Sequence, residues 1–95
     1  MIRIRLHFFA TYYSLIGKRQ LELDVASDCD VRTAIDHLLM KFPVLRPHWC
    51  NPAGELMPHL FVILNKQDIS SLPDGLGTIL QPGDELDFVP PVGGG

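Results

Sequence analysis

Ninety-five residues with a net charge of −3, 46% of them hydrophobic and 20% charged, describe one ordinary globular domain and exclude disorder over most of the chain. Surface scaling buries about 64% of what the extended chain exposes, enough for a core without staples but shallow for a substrate pocket. The acidic balance runs against a nucleic-acid binder, and the longest apolar run, Leu60 to Leu64, is far short of a membrane span.

Met1 to Phe9 alternates, with Ile2, Ile4, Leu6 and Phe8 on one side and Arg3, Arg5, His7 and Phe9 on the other. That is the period of a half-buried strand. The charged residues also interrupt any signal-peptide hydrophobic stretch. Ala10 to Gly17 breaks the alternation with a short segment of helical potential. Gln20 to Val25 resumes it, with Leu21, Leu23 and Val25 inward.

Asp30 is the expected N-cap of a helix whose apolar positions are Val31, Ala34, Ile35, Leu38, Leu39 and Phe42. Pro43 stops it. Val44 to His59 reads as loop or irregular structure, with Trp49 covering the helix end. Leu60 to Leu64 is apolar on both faces, a strand covered on one side and partly on the other. A turn at Asn65 to Asp68 leads into a short strand around Ile69. Pro73-Asp74-Gly75 and Gln81-Pro82-Gly83-Asp84 are turn signatures. Glu85 to Val89 alternates again, with Leu86 and Phe88 inward, and Pro90-Pro91 ends the sheet.

The last residues, Val89-Pro90-Pro91-Val92-Gly93-Gly94-Gly95, are the most informative. Glycine carries no Cβ, so a partner can enclose the backbone in a narrow channel and reach a carboxylate beyond it. The proline pair favours an extended, stiff exit, and Pro90 to Gly95 reaches roughly 20 Å. On composition alone the same stretch also fits a frayed terminus or a leftover linker.

The ending Phe88-Val89-Pro90-Pro91-Val92-Gly93-Gly94-Gly95 resembles that of the ubiquitin-like sulfur carriers of the MoaD and ThiS type, and within them the small subunit of molybdopterin synthase. Leu80-Gln81-Pro82-Gly83-Asp84-Glu85-Leu86 is similar to the family's entry into its last strand. Leu6-His7-Phe8-Phe9-Ala10 with Gly17 is similar to its opening strand and turn. Leu64-Asn65 matches its Val-Asn-Gly except that Lys66 replaces the glycine. The segment from Pro43 to His59 resembles the longer form carried by archaeal and some bacterial relatives, among which are both sulfur carriers and lysine-attached modifiers.

The resemblance implies an α+β fold, a β-grasp roll over residues 1–89 with one main helix on a mixed sheet, followed by a flexible tail at 90–95. It implies that the Gly95 carboxylate is adenylated with ATP by a ubiquitin-activating-type enzyme and converted by a sulfur donor to a thiocarboxylate. The tail residues Pro90, Pro91, Val92, Gly93 and Gly94 would then enter the large subunit of molybdopterin synthase. Attachment to lysines and sulfur supply for the thiamine thiazole are the alternatives. The chain has no phosphate-binding loop with which to activate its own terminus, so the expectation is a co-substrate without bound cofactor, not a free-standing enzyme.

Phe9 and Val89 fall on outward strand faces where polar residues are usual, so they are candidate partner contacts, with Ile69 a third; covering sheet edges is the other reading. Gly17-Lys18-Arg19 is a basic turn suited to steering a partner. His48, Cys50 and His59 lack common zinc spacing, and no metal is expected. Cys29 lies where a helix N-terminus favours thiolate, though a structural thiol is the simpler account. Without a C-x-x-C pair or a disulfide framework, Cys29 and Cys50 suit a reduced, cytoplasmic setting.

Overall fold

The computed structural model describes residues 1–58 and 60–91. The first strand, β1 (Ile2–Phe8), is followed by a one-and-a-half-turn helix α1 (Thr11–Ile16) and by β2 (Gln20–Val25). Gly17 closes α1 at φ 82°, a left-handed conformation that a residue with a Cβ resists, and its N–H bonds the Tyr13 carbonyl at 2.7 Å. The main helix α2 spans Val31–Lys41. Three strands remain: β3 (Phe61–Leu64), β4 (Gln67–Asp68) and β5 (Glu85–Val89).

The sheet order is β2-β1-β5-β3-β4. β1 and β5 are parallel neighbours, while the other pairs are antiparallel. The α2 crossover permits that parallel pairing, and it puts the last strand at the centre of the sheet. Val31, Ala34, Ile35, Leu38 and Leu39 are all buried against the sheet, whose inner face supplies Ile4, Leu6, Phe8, Val62, Leu64, Leu86 and Phe88. Phe42 is only half-buried, because α2 has ended beside it and Pro43 begins a 3₁₀ turn. This is the expected β-grasp roll.

Asp30 caps α2 as expected, its Oδ1 accepting the Thr33 N–H at 2.8 Å. The Thr33 side chain and backbone N–H together hold this carboxyl below its ordinary 3.8. A depressed folded pKa means the stabilisation is complete above the unfolded value and fades as pH falls through the folded one. Asp30→Ala is therefore expected to destabilise by about 1 kcal/mol at neutral pH. Its thermal melts and those of the parent protein should converge in acid, well below pH 3.8.

Three expectations are refined. The stretch from Val44 to Pro58, expected as loop or irregular structure, begins within a 3₁₀ turn (Pro43–Leu45) and holds a short helix α3 (Arg46–Trp49), and only from Cys50 on, apart from a bridge between Cys50 and Leu56, is it irregular. Leu45 and Trp49 sit four apart on one helical face and are both fully buried, which anchors the segment. Trp49 is thus fully buried and reaches the core from α3 rather than from a loop. The short strand expected around Ile69 is β4, one residue earlier. Ile69 instead opens a 3₁₀ turn that Asp68 caps through Ser70.

The β3–β4 turn takes Asn65 at φ 48° and Lys66 at φ 71°, the two positive values of a tight hairpin turn. Asn65 tolerates this and ties the turn to β5, donating to Asp84 at 2.9 Å and accepting from the Glu85 N–H at 3.0 Å. Lys66 bears the strain that a glycine would not.

Candidate functional site

β5 ends at Val89 with a neighbour on each side, so the tail leaves from the middle of the sheet. The parallel strand β1 ends at the same edge, where Phe9 continues the ladder by donating its N–H to the Phe88 carbonyl at 3.3 Å. The antiparallel strand β3 begins there, with Phe61 paired to Val89. Phe9 and Phe61 are each 45% exposed and Val89 is half-buried between them. Together they surround the tail exit with apolar surface on the sheet's outer face.

The expectation for Phe9 and Val89 as outward residues therefore holds. Ile69 is corrected: it is 7% exposed and belongs to the core, since the turn after β4 rolls its side chain under the sheet. Phe61 and Ile63 were missed. Leu60 to Leu64 is apolar in both parities, and only the register, which pairs Leu64 with inward Leu86, shows that Phe61 and Ile63 point outward. Of the tail, Pro90 is half-buried and Pro91 exposed. Val92, Gly93, Gly94 and Gly95 lie outside the described residues.

The rest of the outer face is charged. Next to the patch, His7 Nδ1 and Asp87 Oδ1 are 2.7 Å apart across β1 and β5. Further away, Arg3 bridges Asp24 at 2.9 Å and Glu22 at 3.5 Å, and Arg5 bridges Glu85 at 3.7 Å. The hydrogen bond from Arg3 draws the Asp24 carboxyl below its usual range. These exposed pairs contribute little stability. They divide the face into a self-satisfied ionic half and an apolar half at the tail.

Beneath the patch, Phe88 stacks on Phe8 at 5.7 Å between ring centroids and on Trp49 at 4.8 Å. Tyr12 meets Trp49 edge-on at 5.5 Å. Burial pushes the Tyr12 phenol up, with the nearby Trp49 indole a smaller opposing influence, although the indole N–H has no partner at hydrogen-bonding geometry. Ala10, at φ 51° and ψ −122°, occupies a region that favours glycine. This reversal, closed by the Tyr12 N–H on the Phe9 carbonyl at 3.1 Å, sends Phe9 outward and Tyr12 inward. The tail thus departs from a braced platform.

Neither cysteine is poised for chemistry. Cys29 is 5% exposed, and burial raises its thiol pKa, with the Asp30 and Asp28 carboxylates adding to the rise. His48 is exposed while Cys50 is buried, so the two do not converge, and His59 lies outside the described residues. Among the described residues no cluster of three His, Cys, Asp or Glu side chains is placed to hold a metal ion. No helix among them is long and apolar enough to cross a membrane.

Comparison with known proteins gives the same answer from the whole chain. The ThiS family model matches residues 6–95. The chain is 31% identical over 94 residues to small archaeal modifier protein 3 of Haloferax volcanii, covering 99% of this chain and 100% of that one. It is 25% identical over 95 residues to the molybdopterin synthase sulfur carrier subunit of Drosophila sechellia, covering 100% and 93%. Among solved structures, SAMP1 from Haloferax volcanii superposes with a TM-score of 0.84 at 32% identity, covering 98% and 99%. SAMP1 from Methanosarcina acetivorans gives 0.86 at 27%, covering 100% and 98%. A β-grasp body of this topology matched end to end by such relatives leaves one assignment: the chain belongs to the ThiS family of ubiquitin-like sulfur carriers and modifiers.

Proposed function

We propose that this chain is a sulfur carrier that works as the small subunit of molybdopterin synthase, with the Gly95 carboxylate as its reacting group. A carboxylate is a poor electrophile. A ubiquitin-activating-type enzyme overcomes this by letting the carboxylate oxygen attack the α-phosphate of ATP, releasing pyrophosphate and leaving an acyl-adenylate. Sulfide equivalents from a sulfur donor then attack the carbonyl carbon, AMP departs, and a thiocarboxylate remains. In the synthase, the tail from Pro90 to Gly95 carries that sulfur into the large subunit and delivers it to the pterin precursor.

The carrying observation is that the tail exit and the apolar patch of Phe9, Phe61 and Val89 coincide on one braced edge. A partner gripping the patch also receives the tail. The Val89-Pro90-Pro91-Val92 approach supports molybdopterin among the sulfur pathways, as does similarity to a relative named for that synthase. A second reading, attachment of Gly95 to lysines, is favoured by relatives at 31% and 34% identity named as archaeal modifiers. Both readings begin with the same adenylate and diverge in the nucleophile that follows.

A deletion strain separates them. Loss of molybdoenzyme activity, restored by the parent gene and not by one lacking the codon for Gly95, is the expected result. A thiazole requirement with molybdoenzymes intact would overturn the pathway. Lysine remnants bearing the terminal glycines in digested cell protein would support the second reading.

The patch carries its own prediction. Phe61→Asp places an unpaired carboxylate where a partner removes water, so the carrier concentration for half-maximal adenylation should rise about tenfold to a hundredfold. Phe61 already faces solvent in the free protein, so the unfolding midpoint should shift by no more than a few degrees. Titration of carrier in a pyrophosphate-exchange assay, beside a thermal melt, measures both.

A further inference from the structure

We propose that Arg19 is an ionic anchor, held ready over the Tyr13 ring, for an acidic side chain of the adenylating enzyme that covers the apolar patch. This rests on the function proposed above and adds the chemistry of the partner's contact. The guanidinium carbon lies 4.9 Å from the Tyr13 ring centroid, within reach of a cation–π attraction. Its main chain is fixed too, because the Phe8 N–H donates to the Arg19 carbonyl at 2.9 Å. Gly17, in its left-handed conformation, is what turns the chain back so that Arg19 meets α1.

This corner adjoins the patch. A groove of about 320 Å³ beside it has walls from His7, Phe9, Ala10, Tyr13, Arg19 and Gln20. Phe9 is therefore shared between groove and patch, and a partner that covers one reaches the other. The charge there is also unspent. Arg3, Arg5 and Arg32 each hold a carboxylate, while among the described residues Lys18 and Arg19, like Lys41, Arg46 and Lys66, make no ion pair. From Met1 to Leu21 the sequence contains no Asp or Glu, in a chain whose net charge is −3. Asp87 faces this groove only through its bond to His7, which leaves Lys18 and Arg19 as the basic side of the corner.

Carboxylate is the chemistry that matches. A guanidinium held over a ring at this distance has N–H donors to offer in a two-point hydrogen bond, which a planar carboxylate completes. Because the ring already restricts the side chain, less freedom is lost on docking. Covering Phe9 would also exclude water from the pair and lessen its screening. Lys18, on its flexible stem, adds steering.

The test uses the full chain and the adenylating enzyme from the same source, with pyrophosphate exchange giving KM for the chain and kcat separately. Arg19→Glu is expected to raise KM at least about tenfold at low salt with kcat unchanged, because the terminal carboxylate and tail are untouched. Arg19→Lys should fall between Arg19→Glu and the parent. Raising salt should increase the parent's KM more than that of Arg19→Ala. Parent adenylation with Arg19→Ala and Arg19→Glu matching its KM and salt dependence overturns the anchor and leaves the carrier function standing. A parent chain that is not adenylated at all overturns the function, and the anchor falls with it.

Discussion

Removal of Gly95 is expected to abolish sulfur loading and donation while leaving the unfolding midpoint unchanged. The two effects separate because β5 ends at Val89 and no buried core residue lies beyond Phe88 among the described residues. Shortening the tail by one residue retracts the carboxylate by about 3.5 Å, far beyond the tolerance for attack on the α-phosphate. Gly94→Val should also fail, with the carboxylate in register, because its branched Cβ meets channel walls shaped for bare backbone. Patch variants such as Phe61→Asp weaken capture by contrast, and saturating partner restores them. Saturation should not restore the shortened chain, which an adenylation titration will show.

Trp49→Ala is the largest expected effect on stability. The indole is completely buried, stacked on Phe88 and met edge-on by Tyr12, so truncation leaves a cavity directly beneath the tail exit. A loss of about 3–5 kcal/mol is expected, a large share of the roughly 5–15 kcal/mol that holds such a domain. The melting temperature should fall by roughly 15–30 °C. Trp49→Phe should lose much less, because the indole N–H has no hydrogen-bond partner to forfeit and a ring remains in the stack. Calorimetry on both variants checks the magnitude, and near-ultraviolet circular dichroism reports whether the aromatic packing survives. A Trp49→Ala protein melting within a few degrees of the parent would mean that the stack does not brace the sheet.

How far the sequence is legible depends on whether one short-range rule governs a residue. β1 and β2 alternate strictly because one face of each meets the core, and α2 repeats at helical spacing between a capping Asp30 and a blocking Pro43. The turn at Gln81 to Asp84 is equally local, with Pro82 presetting one angle and Gly83 taking φ 83°. β3 fails the same test, since an apolar run in both parities does not say which face is inside. Hence Phe61 and Ile63 emerged only from pairing with β5. Pro47, Pro52 and Gly54 masked the order between Pro43 and Pro58, although Leu45 and Trp49 carried a faint four-residue signal. Ile69 was misplaced because its burial depends on a 3₁₀ turn set by Asp68 rather than on strand parity. The Arg19–Tyr13 contact joins residues six apart across a left-handed glycine, which no periodicity describes.

Intact-mass measurement of the full chain, incubated with its adenylating enzyme, ATP and a sulfur donor, tests the carrier claim most directly. The predicted result is replacement of one oxygen by sulfur, mapped by fragmentation to Gly95 and absent when ATP is withheld. A chain that releases pyrophosphate under these conditions yet keeps its original mass, and transfers no sulfur to the synthase, would contradict it.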